Sequence, residues 1–352
     1  MKRLSFSIIL ILLIIAASDM PQAKVTGECY NCHTMHYSQG GGALAQWGQS
    51  GPYSALTTNT CVGCHTAASG IQNTGLNTTP YVMCISTPAY GATGTEENTI
   101  AGGSFYWMKT DETTGHDVDG IATAFDMLPP GYPGASYDSN RPATWPADTQ
   151  VTCAGTYGCH GTTGTTDAYT AVKGGHHGDD SNYRMLNGVA GKEWNTAGAT
   201  GGKWEFKPTN SKHNQYKAIH RASGDQTSSD TTTISYLCGQ CHGNFHGGSG
   251  NIGSSSPWLR HPTDVQLKGA GTEYANYNTT DNPYSVVAPV GSFTVTEPLA
   301  NVTPGTTNCI VTCISCHRAH GTQYYKIMRW DYKSATLLTA LRGCVVCHTS
   351  KN

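Results

Sequence analysis

Ten of the 14 cysteines fall into five copies of one pattern, Cys-x-x-Cys-His: Cys29/Cys32/His33, Cys61/Cys64/His65, Cys238/Cys241/His242, Cys313/Cys316/His317 and Cys344/Cys347/His348. Two thiols at this spacing can add across the vinyl groups of a haem as thioethers. The adjoining imidazole then lies under the iron as its proximal ligand. Zinc also takes paired cysteines, but a structural zinc site needs no histidine directly after every second cysteine. A thioredoxin-like redox pair does not recur along one chain. The pattern reads as covalently attached haem c.

A sixth site is less regular. Cys153-Ala-Gly-Thr-Tyr-Gly-Cys159-His160 keeps the terminal Cys-His but places five residues between its cysteines. Its two glycines allow the loop to bulge while both thiols still reach the porphyrin. A disulfide, or a free pair beside an incidental histidine, is the alternative, and a sixth haem is the reading adopted. Cys84 and Cys309 are left over, and a disulfide between them is the simplest expectation.

Six proximal histidines leave nine others among the 15: His36, His116, His176, His177, His213, His220, His246, His261 and His320. That number covers six distal ligands, so bis-histidine iron is expected throughout. Methionine is the other common distal ligand, and of eight, Met35 and Met83 are the best placed. His36, His246 and His320 each follow a proximal histidine by three or four residues. Side chains one helical turn apart leave on the same side of the chain, so the second cannot reach the opposite face of its own haem. Each should ligate a neighbouring haem and tie the haems into close pairs. His261 precedes Pro262, which favours an extended backbone and a projecting ring. His176 and His177 follow the irregular site and are expected to supply a ligand locally. His116 lies in a stretch without a haem motif, which a ligand role would anchor. His213 and His220 are weaker candidates.

The elements that must position these groups are poorly supplied with apolar side chains. Only 38% of the 352 residues are hydrophobic and 42 are glycine. Such a composition offers little buried area against chain entropy, so covalently held haems are expected to stand in for the missing core, and the chain without haem should not fold. Charged residues make up 12% with a net charge of −2 and no basic run, which argues against nucleic acid as a partner. Lys2 and Arg3 followed by the apolar stretch from Ile8 to Ala17 read as a signal peptide over residues 1–23, with Ala23 the last residue removed. The stretch is shorter than the roughly 20 residues that span a bilayer.

The rest, residues 24–352, reads as a single multihaem domain. Residues 24–95 carry two haems, 96–150 form a Gly/Pro/Tyr-rich connection, 151–265 carry two haems, and 266–352 the last two. The expected fold is mostly coil and turns with short helices and little strand, wrapped around a chain of haems. Helical signals gather at the haem motifs and between Tyr332 and Arg342, and a strand is expected at Gly291–Val295.

These residues resemble a family. Glu28-Cys-Tyr-Asn-Cys-His-Thr-Met-His36 with the Gly-rich run after it is similar to the start of the OmcS-type extracellular hexahaem cytochromes, which polymerise into conductive filaments on metal-reducing bacteria. The resemblance continues through Cys238-Gly-Gln-Cys-His-Gly-Asn-Phe-His246, Leu259-Arg-His-Pro262, Cys313-Ile-Ser-Cys-His-Arg-Ala-His320 and Cys344-Val-Val-Cys-His348. It implies bis-histidine ligation, haems in alternating stacked and T-shaped pairs, and a mainly coil fold. It also implies that His36 reaches the haem on His317 of the next subunit. The irregular Cys153/Cys159 site departs from the family, where a regular motif with a close second histidine stands. His176 or His177 would substitute.

Electron transfer is the function these sites serve. The expected forms are a subunit of an extracellular conductive filament or a monomeric periplasmic or surface carrier. Haem motifs near both ends of the mature chain suit head-to-tail contact, which gives an open filament when it does not close. A multihaem reductase would need an open iron and has less support, because the histidines are numerous enough to close each one. Expected partners are further copies of the chain, other electron-transfer proteins and extracellular acceptors such as metal oxides.

Overall fold

The computed structural model describes residues 38–39, 42–43, 61–67, 80–84, 86–88, 100–121, 128–132, 139–172, 183–193, 208–211, 213–220, 230–243, 261–278, 280, 282–295 and 301–350. The signal segment, the first haem motif with Cys29, Cys32, His33 and His36, and the histidines His176, His177 and His246 lie outside them.

Among the described residues regular structure is sparse. Cys61–Cys64, Ile234–Gly239 and Cys344–Cys347 form single helical turns that coincide with haem motifs, and Cys313–Ser315 forms a 3-10 turn. Helices this short are not stable by themselves, so their neighbours must hold them. Thr233 caps Ile234–Gly239, its hydroxyl accepting from the Tyr236 N–H at 3.2 Å. Leu337–Ala340 forms the helix expected between Tyr332 and Arg342.

Each sheet is a pair of two-residue strands. Ser38–Gln39 (β1) pairs antiparallel with Gly42–Ala43 (β2), and Thr66–Ala67 (β3) pairs parallel with Met83–Cys84 (β4). Gly191–Lys192 (β5) and Val265–Gln266 (β7) pair antiparallel with Gln215–Tyr216 (β6) and Ile310–Val311 (β8). The strand expected at Gly291–Val295 is absent. Gly291 bridges Ile310 while the next residue, Ser292, bridges Lys217, so the segment changes partner after one residue and no ladder propagates.

The apolar core is divided, and every part of it leans on a haem motif. Leu267, Tyr277, Tyr284, Val286, Val290, Val302, Cys309 and Val311 gather against Val346 and Cys347 of the last motif. Val62, inside the second motif, packs with Met83, Phe105, Met108 and Val118 against Cys153. Ala154 of the irregular site meets Ala171, Val172 and Met185. Ile234 and Leu237 at the fourth motif meet Tyr183, Val189 and Ile314 of the fifth. The expected Cys84–Cys309 disulfide does not form. Both thiols are free and buried; Cys309 belongs to the first cluster, whereas Cys84 accepts from Ser104 Oγ at 3.1 Å.

The connecting stretch is pinned to the fifth motif, over 200 residues away in sequence. The backbone N–H of His320 donates to the Gly102 carbonyl at 2.7 Å, and that of Ser104 to the Gly321 carbonyl at 3.1 Å. Thr322 donates to the Thr114 carbonyl at 2.8 Å, and Arg318 Nη1 to the Ala101 carbonyl at 3.1 Å. Gly321 sits at the crossing, where a Cβ would stand 2.7 Å from the carbonyl oxygens of both Ser104 and Thr114. Gly321→Ala should therefore lower stability by about 2 kcal/mol. A drop in the melting temperature of the haem-loaded protein, followed by circular dichroism, checks this.

Candidate haem-attachment sites

A Cys-x-x-Cys-His turn works as an attachment site because one hydrogen bond closes it. The histidine N–H donates to the carbonyl of the first cysteine: His65 to Cys61 at 3.0 Å, His242 to Cys238 at 3.0 Å, His317 to Cys313 at 3.1 Å and His348 to Cys344 at 2.9 Å. That bond brings the thiols and the imidazole onto one side of a single turn.

The irregular site closes the same bond by another route. His160 N–H donates to the Cys153 carbonyl at 3.0 Å although seven residues separate them, and Cys159 N–H donates to the same oxygen at 3.2 Å. The intervening residues are thrown out as a bulge. Gly155 adopts a φ of +88°, and a Cβ on Gly158 would lie 2.4 Å from the Ala154 nitrogen. Only glycine fits at either position. The bulge leaves carbonyls outside any helical pattern, and Arg141 takes two of them, Nη1 donating to Thr156 at 2.7 Å and Nη2 to Gly158 at 2.6 Å. Arg141 is 5% exposed, and its Nη1 also lies 3.9 Å from the Cys241 sulfur, linking this loop to the fourth motif.

Three of the described proximal rings are fixed at Nδ1 by a carbonyl. His65 meets the carbonyl of Pro80 at 2.8 Å, His242 that of Pro130 at 2.6 Å and His317 that of Lys326 at 2.9 Å. His160 meets the Arg184 carbonyl, and His348 lies 3.3 Å from Glu273 Oε2. An oxygen of this kind only accepts, so Nδ1 carries the hydrogen and Nε2 is left as the metal-binding nitrogen. Two of these acceptors sit on left-handed backbone that ordinary residues avoid, Arg184 at φ 51° and Lys326 at φ 58°. Each such residue costs about 1 kcal/mol, which is consistent with a geometry imposed by function.

Two proximal rings face a second imidazole. His116 lies 6.0 Å from His242 and His261 lies 6.2 Å from His348, centre to centre. His116 and His261 are tethered in the same way, Nδ1 to the Ala319 carbonyl at 2.7 Å and to the Pro262 carbonyl at 2.9 Å. A metal ion between two imidazoles, with bonds of about 2 Å, sets their centres about 6 Å apart. The spacing fits bis-histidine haem. His320 stands among His160, His65 and His116 and not against its own proximal neighbour His317.

Desolvation favours the neutral form of several of these rings, as ligation requires. Desolvation holds His160 and His242 down to about 4 and His320 to about 3, and it also lowers His116, His261 and His317. The two weaker candidates separate. His220 Nδ1 accepts from the Gln266 N–H at 3.0 Å, so its hydrogen is on Nε2 and the ring is not set up to bind metal there. His213 is buried with Nδ1 against the Asn214 carbonyl at 2.9 Å, its ring stacked 3.4 Å from Tyr284. Met83 is a core residue beside Val62.

The motifs follow one another in space as they do in sequence. The thiol of Cys61 contacts that of Cys153, and Cys238 contacts Cys313. The charge of Cys159 is felt at Cys241, and that of Cys344 at Cys316. Sequence reasoning missed Arg141, Glu273 and the carbonyl tethers. A lone arginine or glutamate carries no spacing signal, and a carbonyl belongs to every residue.

No family model matches the chain. The C-type cytochrome OmcS of Geobacter sulfurreducens is similar, 28% identical over 373 residues that cover 89% of this chain and 81% of that protein. Two solved structures are also similar. The OmcS nanowires from Geobacter sulfurreducens share 19% identity at a TM-score of 0.42, covering 88% of this chain and 84% of that one. The outer membrane cytochrome S filament from the same organism shares 20% at 0.41, covering 87% and 84%.

Gly158→Ala and Arg141→Ala should each cost the irregular site its haem. The intact-protein mass of either variant is expected to show one haem fewer than the parent, with the other attachments retained.

Proposed function

We propose that this chain, similar along most of its length to C-type cytochrome OmcS, carries electrons through six haem c groups as a subunit of an extracellular filament. The observation that carries this reading is the two imidazole pairs at 6.0 and 6.2 Å, with His116, His242 and His261 each tethered through Nδ1 to a carbonyl.

The attaching cysteines are Cys29/Cys32, Cys61/Cys64, Cys153/Cys159, Cys238/Cys241, Cys313/Cys316 and Cys344/Cys347, with His33, His65, His160, His242, His317 and His348 as proximal ligands. Bound haem would supply a one-electron ferric–ferrous couple at each site. His116 serves the His242 site, His261 the His348 site and His320 the His160 site. That leaves the sites of His33, His65 and His317 to His36, His246 and one of His176 and His177, with His36 crossing to the next subunit. The contacts between thiols of successive motifs favour a continuous path, and two strong axial ligands at each iron leave no position for a substrate. The chain is therefore an electron carrier and not an enzyme.

Residues 1–23 direct export, and residues 24–352 act as one haem-wrapped unit. Filament assembly is supported by the surface next to the last motif. Leu337 and Leu338 on the Leu337–Ala340 helix and Leu341 just after it are 71%, 79% and 36% exposed, shortly before Cys344. Apolar side chains grouped in this way mark a contact surface. A head-to-tail partner would cover them and bring the next haem close. The further partners are other electron-transfer proteins and extracellular acceptors such as metal oxides.

A pyridine haemochrome assay should find six haems per chain. His116→Ala and His261→Ala should each convert one low-spin ferric haem to high spin in the optical and EPR spectra. Leu338→Glu should leave the haem count unchanged and shorten or abolish filaments in negative stain. Wild-type particles that stay single in negative stain would instead mark a monomeric periplasmic or surface carrier.

A further inference from the structure

The described proximal imidazoles are not all tethered alike. His65, His160, His242 and His317 each meet a neutral main-chain carbonyl. His348 instead stands beside a carboxylate, Glu273 Oε2 lying 3.3 Å from Nδ1 in a contact that closes no hydrogen bond, with the two side chains 21% and 25% exposed. The pairing is built into the backbone. Thr349, directly after the histidine, donates to the Glu273 carbonyl through its N–H at 2.9 Å and through its hydroxyl at 2.5 Å. Tyr274 shares the carboxylate. Its hydroxyl hydrogen-bonds to Glu273, and its ring stands edge-on to His348 with centres 5.3 Å apart.

A carbonyl orients an imidazole and does little more. A carboxylate carries a full negative charge, and at 3.3 Å it raises the electron density of the ring it faces. The ring becomes a stronger donor, and a stronger donor favours ferric over ferrous iron. We propose that Glu273 is a positioning residue that holds the reduction potential of the His348 site below the value a carbonyl tether would give, and that Tyr274 moderates it. The proposal rests on the haem at Cys344/Cys347/His348 argued above. The couple is a single electron at iron with no proton transferred, so no further reactant is needed. An electron reaching the C-terminal end of the chain then meets an uphill step imposed by one side chain. The path has an energetic profile that the repeated motif alone would not give.

The test uses the full-length haem-loaded protein, titrated spectroelectrochemically with EPR of the ferric state. Glu273→Gln keeps the size and removes the charge. One of the six haem components should become easier to reduce, its ratio of reduced to oxidised form at a fixed potential rising about tenfold, which is about 59 mV for one electron. The others should not move. Tyr274→Phe frees the carboxylate from the phenol and should shift the same component the opposite way, with a matching change in its low-spin EPR signal. A purely structural role predicts no such opposed pair. If Glu273→Gln loads haem poorly, the downward shift in Tyr274→Phe is still required. Six haems with that component unmoved in both variants would overturn the tuning role. A wild-type peptide map showing no haem on Cys344 and Cys347 would instead overturn the site on which it rests.

Discussion

One tether organises the molecule: an imidazole held at Nδ1 by a carbonyl oxygen, so that Nε2 is the nitrogen left to bind metal. A ring free to rotate would not keep its place under an iron, and a protonated one would not bind it at all. The surrounding chain meets both conditions at once. Desolvation lowers six of the histidines toward the neutral form, and segments remote in sequence bring the acceptors. Pro130 serves His242 from 112 residues away, and Ala319 serves His116 from 203. Left-handed backbone at Arg184 and Lys326 is part of what that placement costs.

The same demand accounts for the divided core. With few apolar side chains available, the chain does not build one interior. It gathers small clusters, each resting on a haem-motif turn, and the turns themselves are too short to persist alone. The attachment sites are therefore structural and functional in one. The connecting stretch follows the same logic, since its bonds to residues 318–322 hold both His116 and His320 in the interior. Arg141 does for the bulged Cys153–His160 loop what helical hydrogen bonds do for a regular motif, and it links that loop to the next site.

Much of the chemistry was legible in the residues. The closed turns at the motifs and the bulge permitted by Gly155 and Gly158 follow from spacing, and the structure sets His116 beside His242 and His261 beside His348. The Cys84–Cys309 pairing and the strand at Gly291–Val295 do not survive. Each rested on local or elimination reasoning, while the outcome turns on which distant segments lie alongside. His213 and His220 could not be told apart in sequence, because what distinguishes them is which ring nitrogen a remote backbone group approaches.

The amino-acid sequence by itself determined which residues form the Cys-to-His turns, since a single closing hydrogen bond needs only residues close together in the chain. It also determined that the fold would be largely coil, because the composition holds too little apolar surface for anything else. Only the tertiary structure decided which imidazoles face each other, which acceptor holds each ring, and that Glu273 alone among the described tethers brings a charge. Those are relations between segments up to two hundred residues apart. No local pattern encodes them, because packing, and not spacing, brings the partners together.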